Sequence, residues 1–339
     1  MSSELPIYSL VYKANKILRM HNRFFTGIFA LALLGGCMTP PQSAALLQQT
    51  SEAFSAPVVL DEIPFFPQQA YQCGPAALAT MLGASQVNVI PEDLVPLVYV
   101  PEREGSFQVE LIAAARSYGR LAYEIPQTLT ALLAEVNASH PVLVMQNLGV
   151  AWYPKWHYAV VKGFDLEKKQ VILNSGVLEN YAMPLTTFER TWARSGYWAI
   201  VVLEPGTMPA SAEPLQYFNA VVALESDNPP QLVADAYTSG LELWPSDRNL
   251  LMGYGNLLYG MGGEASTAAD IFQKVTDSHP DYAPAYNNLA QILFESGQKT
   301  QALEYANKAV ELGGDFSELY QETLRMIIAG SEQGAAVKL

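Results

Sequence analysis

Apolar and polar positions follow one pattern up to about residue 137 and another pattern after it. From about residue 57, apolar residues recur mostly at helical spacing, after an extended apolar run at 58–66. A short apolar run at 121–124 predicts one further strand. The predicted helices span 74–83, 91–99, 107–118 and 128–137. This part of the chain is therefore expected to form a mainly helical lobe.

Two of these helices carry an apolar stripe that predicts which face is buried, because residues three or four apart share one helix face. The stripe of helix 107–118 consists of Val109, Ile112, Ala113 and Tyr118. The stripe of helix 128–137 consists of Leu129, Leu132, Leu133 and Val136.

From Pro141 onward, short apolar runs separated by turn residues predict β-strands. The predicted strands span 142–145, 156–161, 170–173, 181–183 and 197–202. Turns are expected at Gly163-Phe164-Asp165 and at Asn174-Ser175-Gly176. A helical lobe followed by an antiparallel sheet is an α+β arrangement, in the order that papain-type thiol hydrolases use.

The pattern becomes helical again from about residue 212 and repeats itself. Residues 283–312 resemble a tetratricopeptide repeat, a second copy lies 34 residues upstream and closes at Pro280, and a weaker copy spans about 214–246. Packing positions in the two clearer copies include Tyr286, Leu289, Ala290, Leu293, Gly297, Ala302, Ala306, Ala309, Met252, Gly255, Asn256, Tyr259, Gly263, Ala268, Phe272 and Val275. With a capping helix at 316–329, an all-α tetratricopeptide repeat domain is predicted over 212–333.

Composition and charge narrow the classes of partner. The chain has 339 residues, is 50% hydrophobic, and carries a net charge of -14. Such an acidic balance argues against a nucleic-acid-binding surface, and no motif indicates a cofactor or a metal. Residues 212–339 hold 17 acidic and 6 basic residues, so a cationic or polar peptide or protein partner is expected there.

The N-terminus has the features of a targeting segment. Four basic residues, Lys13, Lys16, Arg19 and Arg23, precede the apolar run at 24–34. The run ends in Leu34-Gly35-Gly36-Cys37, which resembles a bacterial lipobox. Residues 1–36 are therefore predicted to be a lipoprotein signal peptide. If translation starts at Met20, residues 1–19 are not part of the protein.

The lipobox resemblance implies that Cys37 is lipidated and anchors the chain to a membrane of the bacterial cell envelope. Residues 37–56 are rich in Pro, Gln, Ser and Ala and predict a tether. An Asp directly after the lipidated cysteine would signal retention in the inner membrane, but this chain has Met38 at that position. The expected location is therefore the outer membrane, facing the periplasm.

Cys73 is the candidate nucleophile. The chain has two cysteines, and because Cys37 is assigned to lipid, Cys73 has no disulfide partner. It directly precedes a predicted helix with Pro75 in the first turn, so backbone N–H groups and the helix dipole are expected to favour a thiolate. The alternative is a buried thiol that packs as a small apolar side chain.

His157 is the candidate base, because the other three histidines lie in the signal peptide, at a strand entrance or in the repeats. The alternative is a structural histidine in a half-buried strand. Asn174 ends the next strand and is expected to return beside His157 and orient the ring. Asp165 competes for this role, although it lies at the hairpin tip. An oxyanion donor is expected from Gln68 or Gln69 together with the Cys73 N–H.

Taken together, Gln68–Leu82, Pro141–Val144, His157–Phe164 and the strand ending in Asn174 resemble the C39 peptidase family. These are papain-like cysteine peptidases, best known as double-glycine leader peptidase domains of bacteriocin exporters. The resemblance covers about 57–204, within a predicted C39-like peptidase domain at 57–208. It implies Cys73 as nucleophile, His157 as general base and acid, and a preceding Gln as oxyanion donor.

Two positions depart from the family pattern. The family commonly has Asp-Pro where this chain has Asn174-Ser175, so the third role falls on an Asn. The family's Gln usually lies one residue further from the cysteine, and that position, 67, is Pro here. No exporter region accompanies the domain, so the leader-peptide substrate is not implied.

The function predicted from the sequence is a lipid-anchored cysteine peptidase that hydrolyses a peptide bond by a Cys-His-Asn mechanism. The repeats would recruit a substrate or partner. One alternative is a catalytically inactive, peptide-binding adaptor. Another is a different acyl transfer or amide hydrolysis by the same residues, because the triad determines the chemistry and the groove determines the substrate.

Overall fold

The computed structural model describes residues 40–48, 54–68 and 73–336, with side chains described up to residue 330. The predicted signal peptide, Cys37 and Gln69 lie outside the described residues.

Within the described part, seven strands form one antiparallel sheet, in the spatial order β2-β7-β3-β4-β5-β6. The short β1 pairs with the far half of β4, where Val58 lies opposite Phe164. The apolar run predicted at 58–66 forms a strand only at its start, because it enters a turn at Asp61 and then reaches Pro64, which lacks an N–H. The strands are β1 Val58–Val59, β2 Leu121–Glu124, β3 Val142–Asn147, β4 Trp156–Asp165, β5 Gln170–Ser175, β6 Leu178–Pro184 and β7 Ala199–Leu203.

Six helices of the first domain are numbered in chain order with those of the repeats. They are α1 Pro41–Gln48, α2 Cys73–Ala84, α3 Pro91–Val98, α4 Gln108–Ser117, α5 Leu129–Asn137 and α6 Leu185–Ala193. Helices α2, α3 and α4 cover one face of the sheet, where Leu78, Leu143 and Ile200 share an apolar cluster. Helices α1, α5 and α6 lie on the opposite face. The α+β class is confirmed.

The stripe predicted for α4 is wrong in part, whereas that of α5 is confirmed. Val109 and Ala113 of α4 are exposed, and its buried residues are Leu111, Ala114 and Ala115. The other two predicted residues, Ile112 and Tyr118, are partly buried against the core. In α5 the predicted residues Leu129, Leu132, Leu133 and Val136 are all buried.

Helix α6 is absent from the sequence-based prediction. Its three threonines have modest helix propensity, which hides the helical pattern. The apolar residues Leu185, Phe188 and Trp192 nevertheless recur at helical spacing and are all buried. Packing of this face on the sheet therefore stabilises the helix.

Part of the predicted tether at 37–56 is a docked helix. The backbone N–H groups of Gln42 and Ser43 in α1 donate to the Glu189 carboxylate of α6. Leu46 of the same helix is buried. An anionic partner at the helix N-terminus and one buried apolar residue fold a segment whose composition predicts a linker.

The repeat region begins after the last strand and is all-α, as predicted. Its helices are α7 Pro214–Val222, α8 Pro230–Leu243, α9 Arg248–Gly260, α10 Ala265–Ser278, α11 Ala283–Glu295, α12 Lys299–Leu312 and α13 Ser317–Ala336. The predicted packing positions Phe272, Leu289 and Ala306 are buried, whereas Gly297 lies at an exposed turn with φ +79°.

Candidate active site

Cys73 is the first residue of α2, and three backbone N–H groups surround its sulfur. Burial raises the pKa of the Cys73 thiol, although hydrogen bonds from the N–H groups of Tyr158, Gly74 and Cys73 itself act in the opposite direction. The helix N-terminus predicted from the sequence is therefore present. The expected preference for a thiolate is corrected, because the loss of hydration outweighs the three donors.

The thiol opens onto a cavity of about 560 Å³. Its lining includes Phe107, Met145, Trp156 and Tyr158, so the wall beside the sulfur is largely apolar. Ser106 packs against Gly74 so closely that a Cβ at Gly74 would lie 2.2 Å from the Ser106 Oγ. The Tyr158 hydroxyl donates to the Ser106 carbonyl at 3.1 Å. Glycine after Cys73 thus allows the loop before α4 to reach the cavity wall.

His157 is half-buried near the start of β4, opposite Gln146 of β3. Its Nε2 lies 2.9 Å from the Ser175 Oγ, and burial lowers the pKa of the imidazole. The N–H of the next residue, Tyr158, acts on the pKa of the Cys73 thiol, so the β4 backbone passes close to the sulfur. The side chains of His157 and Tyr158 lie on opposite faces of β4, and Tyr158 lines the Cys73 cavity.

Ser175, which the sequence-based prediction missed, is the residue that contacts the His157 ring. Asn174 pairs with Val160 across β4 and β5, and both line a small pocket against α2. Side chains alternate between the two faces of a strand, so Ser175 lies on the same face as Ala159 and His157.

Asn174 is 5% exposed, and strand alternation places it on the face of β5 opposite Ser175. Its Oδ1 accepts a hydrogen bond from the Asn180 N–H at 3.3 Å. Its Nδ2 has no hydrogen-bond partner among the described residues. The structure therefore places Asn174 beside the candidate site without joining it to the imidazole. Asp165, the competing residue, forms an ion pair with Lys168 at the hairpin tip.

Gln68 is half-buried next to the turn that follows Ser175. Its backbone N–H donates to the Gly176 carbonyl at 3.2 Å, and it lines the same small pocket as Asn174 and Ser175. Gln69 lies outside the described residues. The oxyanion donor therefore stays a prediction.

In the part of the chain that the structure describes, no group of three or more His, Cys, Asp or Glu residues is arranged to hold a metal ion. In the same residues, no helix is both long and apolar enough to cross a membrane.

Comparisons with known proteins agree with this architecture. Residues 60–200 match the model of the Peptidase_C39 like family, and residues 261–327 match that of the tetratricopeptide repeat. No curated protein matches the chain.

Solved structures resemble one part of the chain or the other. A C39-like peptidase from Bacillus anthracis is 19% identical, with 44% of this chain and 98% of that chain covered and a TM-score of 0.38. A double glycine motif protease from an AMS/PCAT transporter, solved with the leader peptide, is 23% identical, with coverages of 43% and 96% and a TM-score of 0.33. The secretion chaperone SycD from Yersinia enterocolitica is 17% identical, with coverages of 35% and 85% and a TM-score of 0.32. By the two family models, residues 60–200 are similar to the Peptidase_C39 like family and residues 261–327 to tetratricopeptide repeats.

Proposed function

We propose that the protein is a cysteine peptidase in which Cys73 is the nucleophile and His157 the general base. The observation that carries the proposal is the position of the Cys73 thiol at the N-terminus of α2, at the wall of a cavity large enough for a peptide side chain and against the backbone of the residue that follows His157. A helix N-terminus, an imidazole on the neighbouring strand and an apolar cleft are parts that thiol-dependent acyl transfer uses.

The proposed mechanism starts from a neutral pair. Burial disfavours both the thiolate and the imidazolium, so the proton moves from sulfur to imidazole as the sulfur attacks. In the tautomer in which the His157 Nε2–H donates to Ser175, the Nδ1 lone pair is left to accept that proton. Ser175 therefore replaces Asn174 as the proposed orienting residue.

The covalent steps follow from this arrangement. The Cys73 sulfur forms a bond to the carbonyl carbon of the scissile peptide, and the oxyanion is held by the Cys73 N–H and Gln68. Collapse of the tetrahedral intermediate breaks the C–N bond, and His157 returns its proton to the leaving amine. Water, deprotonated by His157, then hydrolyses the thioester and releases the acid.

The proposal also includes a location and a partner. A lipid on Cys37 would hold the protein to the outer membrane, facing the periplasm of the bacterial cell envelope. The acidic repeats would recruit a cationic or polar peptide, as substrate or as partner. The charge of the repeat region and its fold support this role.

Labelling with a cysteine-directed probe tests the nucleophile. In the Cys37→Ser variant, Cys73 is the single remaining cysteine, so all labelling reports on it. We expect the Cys37→Ser chain to be labelled and Cys37→Ser/Cys73→Ala to be unlabelled. His157→Ala is expected to slow peptide turnover by about 10²- to 10⁴-fold. Equal turnover of a peptide library by the Cys73→Ala variant and the wild type would contradict the proposal.

A non-catalytic adaptor is the second candidate, and one observation favours it. The His157 ring contacts a neutral hydroxyl instead of a carboxylate, while burial raises the pKa of the thiol. An adaptor would bind peptide equally well as Cys73→Ala and would show no turnover in either form. Parallel measurements of peptide affinity and of hydrolysis separate the two functions.

A further inference from the structure

The loop between β3 and β4 displays aromatic side chains to solvent. We call residues 148–156 the aromatic loop, which includes Trp156 at the start of β4. Trp152 is 86% exposed, Tyr153 63% and Trp156 54%. Leu148 and Val150 are also exposed. Such a concentration of exposed apolar surface indicates a binding surface.

The aromatic loop is held in one conformation by its own hydrogen bonds. The buried Asn147 Oδ1 accepts from the Gly149 N–H at 2.9 Å and from the Lys155 N–H at 3.0 Å. Val150 and Tyr153 exchange backbone hydrogen bonds at the tip. A Cβ at Gly149 would lie 2.3 Å from the Tyr153 carbonyl oxygen, so this turn requires glycine. The fold thus fixes the rings in an exposed position.

Ring type and charge indicate the chemistry of the partner. Trp and Tyr have an apolar body and a polar edge, and they concentrate where a bilayer meets water. The aromatic loop carries Lys155 and no acidic residue, although the chain as a whole has a net charge of -14. An anionic lipid surface would repel the acidic remainder of the chain. A zwitterionic lipid surface would not, so it can accept the aromatic loop.

The aromatic loop and the first turn of α1 lie at the same end of the sheet. Ala199, at the start of β7, accepts a hydrogen bond from the Ile125 N–H and lies opposite Val144 of β3. Just beyond Ile125, the Gln127 carbonyl accepts from the side chain of Gln42 in α1. Beyond Val144, β3 leads directly into the aromatic loop.

Helix α6 provides a second, independent link between the two. Its Glu189 binds the first turn of α1. Arg194, at its end, donates to the Asn147 carbonyl at the base of the aromatic loop. Arg194 follows Glu189 by five positions, so the two residues are about 8 Å apart along the helix axis.

The chain length before α1 places the predicted lipid at this end of the domain. Cys37 precedes Pro41, the first residue of α1, by four positions, which span at most about 14 Å. We propose that the aromatic loop inserts into the interfacial region of the bilayer to which Cys37 is attached, and so seats the peptidase domain on the membrane surface. Two membrane contacts at one end fix an orientation that one lipid anchor alone leaves free.

The proposed orientation on the membrane rests on the lipid anchor at Cys37, which is part of the proposed function. It does not depend on peptidase activity. Trp156 belongs to the aromatic loop and also lines the Cys73 cavity. The cleft therefore opens at the membrane-facing end of the domain.

Vesicle binding by the chain of residues 37–339 carrying Cys37→Ser tests the loop without the lipid. The probes are vesicles of phosphatidylcholine with brominated acyl chains, which quench tryptophan that enters the bilayer. We expect quenching and co-flotation that persist at high salt, because burial of apolar rings is not screened by ions. The double variant Trp152→Ala/Tyr153→Ala is expected to bind about tenfold more weakly.

A matched control uses another exposed apolar pair. Phe316 directly precedes α13 and Leu319 lies on it, in the repeat region, and they are 58% and 50% exposed. Phe316→Ala/Leu319→Ala is expected to bind vesicles like the parent chain. Thermal unfolding and Cys73 labelling should be unchanged in both double variants. Absence of vesicle binding, equal binding by the loop variant and its parent, or a loss confined to peptide binding would overturn the proposal.

Discussion

The first and the last helices of the repeat region pack against different partners. Tyr217 of α7, Tyr237 of α8 and Leu250 of α9 share one apolar cluster with the sheet and with α5 and α6. Phe272 of α10 and Leu289 of α11 belong to a separate cluster inside the repeats. The sequence pattern changes at about residue 212, but the hydrophobic core does not end there. The first repeat shares the core of the C39-like domain.

Polar contacts also hold the segment between β7 and α7 against the first domain. The buried Glu135 of α5 accepts hydrogen bonds from the Ala210 N–H and from the N–H and hydroxyl of Ser211. His140 contacts the same carboxylate at 2.8 Å. The Glu213 N–H donates to the Tyr123 hydroxyl at 3.0 Å. A change in α7 should therefore reach the active site more readily than a change in α10.

The largest expected effect comes from removing one ring from each core. Tyr217→Ala and Phe272→Ala each delete a buried ring and are expected to lower the free energy of unfolding by about 3–5 kcal/mol. Tyr217→Ala should destabilise the sheet and the first repeat together, because they share a core. Phe272→Ala should loosen the later repeats and leave Cys73 labelling unchanged.

Hydrogen exchange of β3 and α11 amides, measured in both variants, resolves the two regions. Equal loss of protection in β3 from both variants would show that the two clusters unfold as one unit. No loss in β3 from Tyr217→Ala would show that the shared core does not couple the domains.

Glu135→Gln tests the linker and is expected to cost about 2 kcal/mol, because hydrogen bonds to a charged acceptor are lost. Burial alone would raise the pKa of Glu135, but hydrogen bonds from His140, Ser211 and Ala210 together lower it. A lowered folded-state pKa contributes stability above the ordinary value of 4.5 and loses it as pH falls below that value. Unfolding curves from pH 7 to pH 3 should therefore fall less steeply for Glu135→Gln than for the wild type.

Gly74→Ala is expected to act at the site and to spare the repeats. The added methyl group would overlap Ser106, and relief of this contact should cost about 1–2 kcal/mol and displace the cavity wall. We expect slower labelling of Cys73 with unchanged protection in α11. The control, Gly260→Ala at the end of α9, meets no atom within 4 Å and should label normally.

Ser175→Ala has the smallest expected effect. Loss of one neutral hydrogen bond to His157 amounts to about 1 kcal/mol, or about a fivefold lower rate of peptide turnover. Ser175→Asp should raise the pKa of His157, because a carboxylate stabilises the imidazolium. The acidic limb of the pH–rate profile should then move to higher pH in Ser175→Asp alone. Asn174→Ala is the matched control, and a larger loss there than in Ser175→Ala would restore Asn174 as the orienting residue.

Sequence alone predicts those features that depend on neighbours along the chain. Local periodicity determines most helices, the apolar face of α5 and the repeat helices. Pro75 after Cys73 and Gly74 indicates a helix that begins at the cysteine. These features follow from backbone sterics, side-chain spacing and turn chemistry, which act within a few residues.

Tertiary structure alone decides the features that depend on distant partners. The register of β4 and β5 turns Ser175 toward His157 and Asn174 away, because a shift of one residue exchanges the faces of a strand. Burial of Cys73 by the sheet raises the pKa that its helix position would lower. Packing of α7 on the sheet joins two patterns into one core. Each outcome depends on contacts between residues far apart in the chain, which local periodicity does not encode.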